Sequence, residues 1–129
     1  MLARELMQQG IVSVSPELPV AELEELLVGE EITGAPVLDQ RGELLGIVSQ
    51  TDIVRAIGES GPADLKELLS PELSVEEIMT RDVLVVSEED DVRDVARKML
   101  EAKVHRALVS DGDEITGIIS AFDMLRLVV

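Results

Sequence analysis

The sequence predicts a mixed α/β (α+β) fold built from two copies of one small unit. Two observations lead to this prediction. The chain matches itself at an offset of 72 positions, which places Met7 on Met79, and at an offset of 71 after one shorter turn, which places Ser49 on Ser120. Each copy also shows the same succession of strand-like and helix-like apolar patterns. We therefore expect two β-α-β-β-α repeats that pack with pseudo-two-fold symmetry.

Each repeat is expected to begin with a short strand followed by a helix. The strands are predicted around Val12 and Val14 and over Val83 to Val86. Apolar residues at helical spacing then predict a buried helix face in each copy. They are Val20, Leu23 and Leu27 in the first copy, and Val92, Val95, Ala96, Met99 and Leu100 in the second. Pro19 suits the first turn of one helix, and Asp90 and Asp91 suit the positive end of the other.

A hairpin and a last helix complete each repeat. The hairpin strands are predicted over Ala35 to Leu38 and Leu44 to Val48, and over Ala107 to Ser110 and Ile115 to Ile119. Arg41-Gly42 and Asp111-Gly112 mark the turns between them. The last helices are predicted from about Thr51 to Ile57 and from about Ala121 to Leu127.

The repeats set the domain boundaries. We place repeat 1 at 1–57, a linker at 58–73 and repeat 2 at 74–129. The linker contains Gly58-Glu59-Ser60-Gly61-Pro62, in which glycine and proline end the preceding helix. A short helix over Asp64 to Leu69 is expected within it.

Composition excludes several classes of function. A net charge of −16 repels nucleic acids and anionic membrane surfaces, so neither is an expected partner. The absence of cysteine excludes disulfides and thiolate metal sites, and one histidine does not make a histidine-rich metal site. No secretory leader or membrane-spanning run is apparent, which favours a cytoplasmic protein. Neither serine that follows a strand has the context of a nucleophile, so we expect no enzyme, no catalytic residue and no metal site.

The most specific motif is Ser-x-x-Asp at the junction of a strand and a helix. It occurs as Ser49 to Asp52 and again as Ser120 to Asp123. Its spacing is typical of a capping box, in which the side chains satisfy free backbone N–H groups. The same aspartate is also suited to accept two hydrogen bonds from the vicinal hydroxyls of a ribose. The two interpretations are compatible, because capping fixes the position of the carboxylate.

A second motif is the basic segment Lys103-Val104-His105-Arg106, which leads into a strand of the second repeat. Arg106 has the geometry to bind a phosphate with two hydrogen bonds, assisted by His105. The alternative is a solvated helix end, where cations are also favoured. The first repeat has Glu31-Ile32-Thr33-Gly34 at these positions, so it lacks the basic residues.

Four segments together resemble a known family. They are Glu77-Ile78-Met79-Thr80-Arg81-Asp82-Val83, Gly34-Ala35-Pro36-Val37-Leu38-Asp39, Gly46-Ile47-Val48-Ser49 with Asp52, and Gly117-Ile118-Ile119-Ser120 with Asp123. Their order, repeated twice, is similar to that of a tandem pair of CBS domains, often called a Bateman module. The resemblance covers almost the whole chain.

The resemblance implies that the chain binds an adenosine-containing ligand, such as AMP, ADP, ATP or another adenosyl compound, in clefts between the repeats. It implies contacts at Asp52, Ser49, Ala35 and Val37 in one site, and at Asp123, Ser120, Ala107, Leu108, Arg106 and His105 in the other. No resident cofactor is expected. Because only the second repeat carries the basic pair, we expect its site to bind a nucleotide more strongly.

Two functional hypotheses follow. One is a ligand sensor that signals through a change in conformation or in dimer geometry. The other is a dimerisation or adaptor module that binds no ligand. A homodimer is expected in either case, because the last helix carries more apolar residues than one buried face needs: Met124, Leu125, Leu127, Val128 and Val129. Signalling is expected to reach a separate, unknown regulated protein, unless the chain is a fragment of a longer one.

Overall fold

The computed structural model describes residues 1–59 and 72–128. In chain order the elements are α1 (Ala3–Leu6), α2 (Val20–Gly29), β1 (Gly34–Leu38), β2 (Leu44–Ser49), α3 (Gln50–Glu59), α4 (Val75–Ile78), β3 (Val85–Ser87), α5 (Val92–Ala102), β4 (Arg106–Ser110), β5 (Ile115–Ser120), α6 (Ala121–Leu125) and a 3-10 turn (Arg126–Val128). The helix expected over Asp64 to Leu69 lies outside the described residues, as does Val129. Within the described ranges, no helix has the length and apolar character needed to cross a bilayer.

These elements form two compact units, and neither unit is a simple repeat. The first unit spans Val12–Asp82, and the second combines Met1–Ile11 with Val83–Val129. Each unit therefore contains the short helix with which the other repeat begins in the sequence. The repeat boundaries given above remain a prediction about the sequence.

In the first unit, β1 and β2 form an antiparallel hairpin in which Gly34 pairs with Ser49. Helix α2 buries its predicted stripe of Val20, Leu23 and Leu27. The core collects the following buried residues: Val14, Leu23, Leu27, Ala35, Val37, Val48, Val75 and Met79. Burial of such side chains contributes about 1.5–3 kcal/mol each to stability.

The strand expected around Val12 and Val14 is reduced to one parallel bridge between Val14 and Val37. The cause is the turn that follows at once. The N–H of Leu18 donates to the carbonyl oxygen of Ser15 at 3.1 Å, and Pro16 within this turn has no N–H to offer a ladder.

In the second unit, β4 lies between β3 and β5, parallel to the former and antiparallel to the latter. Val92, Val95 and Met99 of α5 are buried as predicted. The prediction for Leu100 is wrong, since it is 78% exposed. Successive helical residues are about 100° apart, so Leu100 lies on the flank of the stripe that ends at Met99.

The repeat pattern did not predict the two short helices α1 and α4, although both contribute to a core. Ala3 of α1 and Val75 of α4 are fully buried. Helix α4 starts at a capping box in which the N–H of Ser74 donates to Glu77 Oε2 at 2.8 Å. Each helix therefore anchors the segment around it against the sheet of its unit, and we call these segments, Met1–Ile11 in the second unit and 74–82 in the first, the leading segments.

The leading segments approach the sheets closely at two strand glycines. A Cβ atom on Gly46 would lie 2.6 Å from the carbonyl oxygen of Thr80. Ile47 and Thr80 exchange two backbone hydrogen bonds there, at 2.9 and 2.8 Å. In the second unit, a Cβ on Gly117 would lie 2.9 Å from the Cβ of Met7. Glycine is thus required where each leading segment pairs with its strand.

Gly46→Ala is expected to lower the free energy of unfolding by about 1–3 kcal/mol, because the Thr80 backbone must move to admit the methyl group. Gly29→Ala is the matched control, since a Cβ at the last residue of α2 meets nothing within 4 Å. Its stability should stay unchanged or rise slightly. Urea denaturation followed by circular dichroism measures both. Equal effects of the two substitutions would contradict this account.

Candidate functional site

The first candidate site is built on Asp52, in the first turn of α3. Asp52 is 2% exposed. Its Oδ2 accepts hydrogen bonds from the N–H of Ser49 at 2.8 Å and from Ser49 Oγ at 3.4 Å. Ser49 is the last residue of β2, so these contacts join the end of the strand to the start of the helix. The carboxylate is thereby held in one position.

The other oxygen of Asp52 is bonded to two side chains that the sequence analysis did not single out. Arg55 Nη2 donates to Oδ1 at 2.7 Å, and Thr80 Oγ1 donates to the same atom at 2.7 Å. Arg55 lies one helical turn further along α3, and its side chain is 46% exposed. Thr80 is the residue whose backbone pairs with Ile47. The carboxylate therefore joins β2, α3 and the segment that follows α4.

The second unit repeats this arrangement around Asp123, which is fully buried. Its Oδ2 accepts from the N–H of Ser120 at 2.7 Å and from Ser120 Oγ at 3.0 Å, and the N–H of Asp123 donates back to that hydroxyl at 3.2 Å. This geometry confirms the capping-box interpretation. On the other oxygen, Gln8 Nε2 donates at 3.0 Å and Arg126 Nη2 forms an ion pair at 3.4 Å.

The repeat offsets contain the signal that would have found these partners. Thr80 is the equivalent of Gln8 at the offset of 72, and Arg126 is the equivalent of Arg55 at the offset of 71. An arginine three residues after an aspartate shares its helix face. What sequence patterns did not supply is the return of the leading segment to the site, which is a tertiary contact. Among residues 1–59 and 72–128, no buried side-chain nitrogen or oxygen lacks a hydrogen-bond partner.

The four apolar residues assigned to the sites are all fully buried. Ala35 and Val37 of β1 belong to the core of the first unit, and Ala107 of β4 belongs to the core of the second. Leu108 is also fully buried. The structure thus places these side chains in the interior, on the strands β1 and β4 that pair with β2 and β5, the strands that end at Ser49 and Ser120.

The basic pair lies beside the Ser120 end of the second site. Arg106 pairs with Ser120 across the antiparallel strands, and the N–H of Ala121 donates to the carbonyl oxygen of His105 at 2.8 Å. His105 is exposed and Arg106 is half-buried. The structure therefore brings the basic segment and the Ser-x-x-Asp motif to the same end of the β4–β5 hairpin.

The first unit has the same backbone arrangement without the charges. Gly34 pairs with Ser49, and the N–H of Gln50 donates to the carbonyl oxygen of Thr33 at 3.1 Å. The cation nearest to the carboxylate in this unit is Arg55, from the helix rather than from the strand. In the part of the chain that the structure describes, no three His, Asp or Glu side chains are grouped as metal ligands would be.

Comparison with known proteins identifies this arrangement. A family model for the CBS domain matches the chain twice, over residues 3–59 and 75–129. The chain belongs to the CBS domain family. The predicted family and the predicted fold class are therefore both confirmed.

Solved CBS structures resemble the whole chain. The CBS domain pair of protein MJ0100, in complex with 5'-methylthioadenosine and S-adenosyl-L-methionine, is 25% identical, with a TM-score of 0.83 and coverage of 100% of both chains. CBSX2 in complex with AMP is 30% identical, with a TM-score of 0.75 and coverage of 98% of this chain and 95% of that chain.

Curated CBS relatives are longer than this chain. The uncharacterized protein MJ1225 of Methanocaldococcus jannaschii is 25% identical over 96% of this chain, which spans 41% of that protein's length. Chloroplastic CBSX2 of Arabidopsis thaliana is 30% identical over 92% of this chain, which spans 59% of its length.

Proposed function

We propose that this chain is a non-catalytic regulatory module that binds an adenosine-containing nucleotide and signals through a change in conformation or dimer geometry. The observation that carries the proposal is the pair of buried aspartates, each held by its own strand-ending serine. Complexes of MJ0100 with two adenosyl compounds and of CBSX2 with AMP support the choice of ligand class. The regulated protein is unknown.

The proposed recognition of the ribose follows from the two oxygens of each carboxylate. Oδ2 is committed to the backbone and hydroxyl of the preceding serine, so Ser49 and Ser120 act by orienting Asp52 and Asp123. Oδ1 is bonded to side chains only, so it is the atom that would accept from the hydroxyl groups of a ribose once one of these side chains is displaced. The strands that carry Ala35 and Val37 in one unit, and Ala107 and Leu108 in the other, would supply the surroundings of the base.

The two sites are proposed to differ in strength. In the second unit, His105 and Arg106 lie at the end of the hairpin where Ser120 is found, so a phosphate bound there meets local positive charge. Thr33 and Gly34 take their places in the first unit and offer none. We therefore assign the stronger nucleotide site to Asp123 and the weaker one to Asp52.

Asp123→Asn should remove most AMP binding, because asparagine keeps the shape of the side chain and loses the negative charge that accepts from the ribose. Asp52→Asn should leave most AMP binding, because it changes only the weaker site. Isothermal titration calorimetry with AMP, ATP and S-adenosylmethionine measures this. A parallel thermal melt should show a higher midpoint with the ligand that binds, since a ligand specific to the folded protein stabilises it. Loss of binding in Asp52→Asn alone would contradict the assignment. No binding of any of the three ligands to the parent protein would favour the adaptor hypothesis.

Arg106→Ala should remove most of the preference for AMP over adenosine. A charge-assisted phosphate contact is worth about 1.5–3 kcal/mol, so AMP should bind the parent about 10- to 100-fold more tightly than adenosine. The variant should bind adenosine almost as the parent does, because the ribose contact is elsewhere. Competition between the two ligands gives the ratio, and Arg97→Ala, on the exposed face of α5, is the matched charge control. Equal affinities in the parent would show that the phosphate is not recognised.

We also propose that the chain forms a homodimer through its last helices. Val54 and Ile57 of α3 are 66% and 47% exposed, and the equivalent Leu125 and Val128 are 55% and 83% exposed. The same two repeat positions are therefore apolar and exposed in both units, on α3 in the first and on α6 and the 3-10 turn in the second. A second copy of this chain presents a matching surface, as closed two-fold symmetry requires.

Sedimentation velocity at tens of micromolar should therefore show a dimer, a concentration range chosen for a moderate affinity. Leu125→Glu should shift the population towards monomer, because it places a charge on the apolar surface. Leu100→Glu is the matched control, as Leu100 is 78% exposed on α5. A parent protein that sediments only as a monomer would contradict the proposal.

A further inference from the structure

The Asp52 carboxylate has no acceptor position left for a ligand in the observed arrangement. A carboxylate offers about four lone-pair directions. Ser49 uses two of them, through its N–H and its Oγ, on Oδ2. Arg55 and Thr80 use the other two, on Oδ1. A ribose hydroxyl can therefore bind Asp52 only if it displaces one of these donors.

Arg55 is the donor that can leave. Ser49 is held at the junction of β2 and α3, and its bonds to Asp52 cap the helix. Thr80 is held by the two backbone hydrogen bonds that it exchanges with Ile47. The guanidinium of Arg55 is carried on a long side chain that is 46% exposed, so its release disturbs no backbone hydrogen bond.

We propose that Arg55 is the specificity-determining residue of the Asp52 site, which it closes to neutral nucleosides and opens to ligands that carry an anion. This inference rests on the proposed function. When a neutral nucleoside binds, a hydrogen bond from its hydroxyl to Asp52 replaces the charge-assisted bond from Arg55. The guanidinium is then left without an anionic partner. A nucleotide supplies a phosphate for the displaced guanidinium, so the ion pair is exchanged rather than lost.

The inference gives the first unit a means of phosphate selection that does not need basic residues on the strand. It also predicts that the two sites differ in how strongly an arginine competes with a neutral ligand. Arg126 lies 3.4 Å from Asp123 and is 67% exposed, whereas Arg55 lies 2.7 Å from Asp52 and is 46% exposed. The closer and less exposed guanidinium is the stronger competitor, because solvent screens an ion pair less as it is buried. Exclusion of neutral ligands is thus stronger at Asp52.

The test uses the full chain with Asp123→Asn, which isolates the Asp52 site. Arg55→Met is added because methionine keeps an unbranched apolar side chain and removes every donor; Arg55→Ala serves as a second variant. Arg41→Met is the matched control, since Arg41 is an exposed residue in the turn at the opposite end of β2 from Ser49. Adenosine and AMP are titrated by NMR, which detects millimolar binding, and circular dichroism establishes that each variant is folded.

Arg55→Met should tighten adenosine binding about tenfold and should not tighten AMP binding, so the preference for AMP falls about tenfold. A tenfold change corresponds to about 1.4 kcal/mol. Arg41→Met should change this preference by less than about twofold, because Arg41 is exposed at the far end of β2, where salt screens its charge from the site. A residue with only a structural role would not improve binding when it is removed.

Adenosine binding that is unchanged or weaker in both Arg55 variants would overturn the inference. An Asp52 site that binds neither ligand with or without Arg55 would also overturn it, even where the parent protein binds AMP at Asp123. Failure of the proposed function gives a different result, because the parent protein then binds neither ligand at either site.

Discussion

The carboxylate of Asp52 joins the end of β2 and the first turn of α3, which are adjacent in sequence, to the distant segment after α4. A buried carboxylate is costly unless hydrogen bonds replace the water that it has lost. Hydrogen-bond donors therefore surround it: the N–H of Ser49, the guanidinium of Arg55 and the hydroxyl of Thr80. The hydrogen bonds to Asp52 therefore hold both the end of β2, through Ser49, and the leading segment of the first unit, through Thr80.

The same need is met around Asp123 by an equivalent serine and arginine and by one chemically different partner. Gln8 donates an amide N–H where Thr80 donates a hydroxyl, and each residue is positioned by a backbone bridge to a strand, Gln8 to Ile118 and Thr80 to Ile47. At this one position the two repeats share a geometric role rather than a residue type. The difference in ligand preference that we propose for the two units rests on the unequal charges at the starts of β1 and β4.

The duplication could be predicted from the sequence because its two copies match at a nearly constant offset, and the helix stripes could be predicted because they depend on local spacing. Val20, Leu23 and Leu27 are buried as their period requires, whereas Leu100 shows that an apolar residue beside a stripe need not be covered. Ser120 and Asp123 could be paired because they lie within one helical turn. The positions of Thr80 and Gln8 could not be predicted in this way, because they depend on which sheet each leading segment joins.

The two units differ in how their residues are distributed along the chain, so they can complete their folding at different stages of synthesis. The first unit is one continuous stretch, Val12–Asp82, so all of its core residues emerge in succession. The core of the second unit contains Ala3 together with Val95 and Ile119. Ala3 therefore cannot reach these core partners until the whole of the first unit has been made. The two repeats match in sequence but differ in the order in which their core residues are made. The leading segment of the second unit is synthesised long before the strands with which it packs.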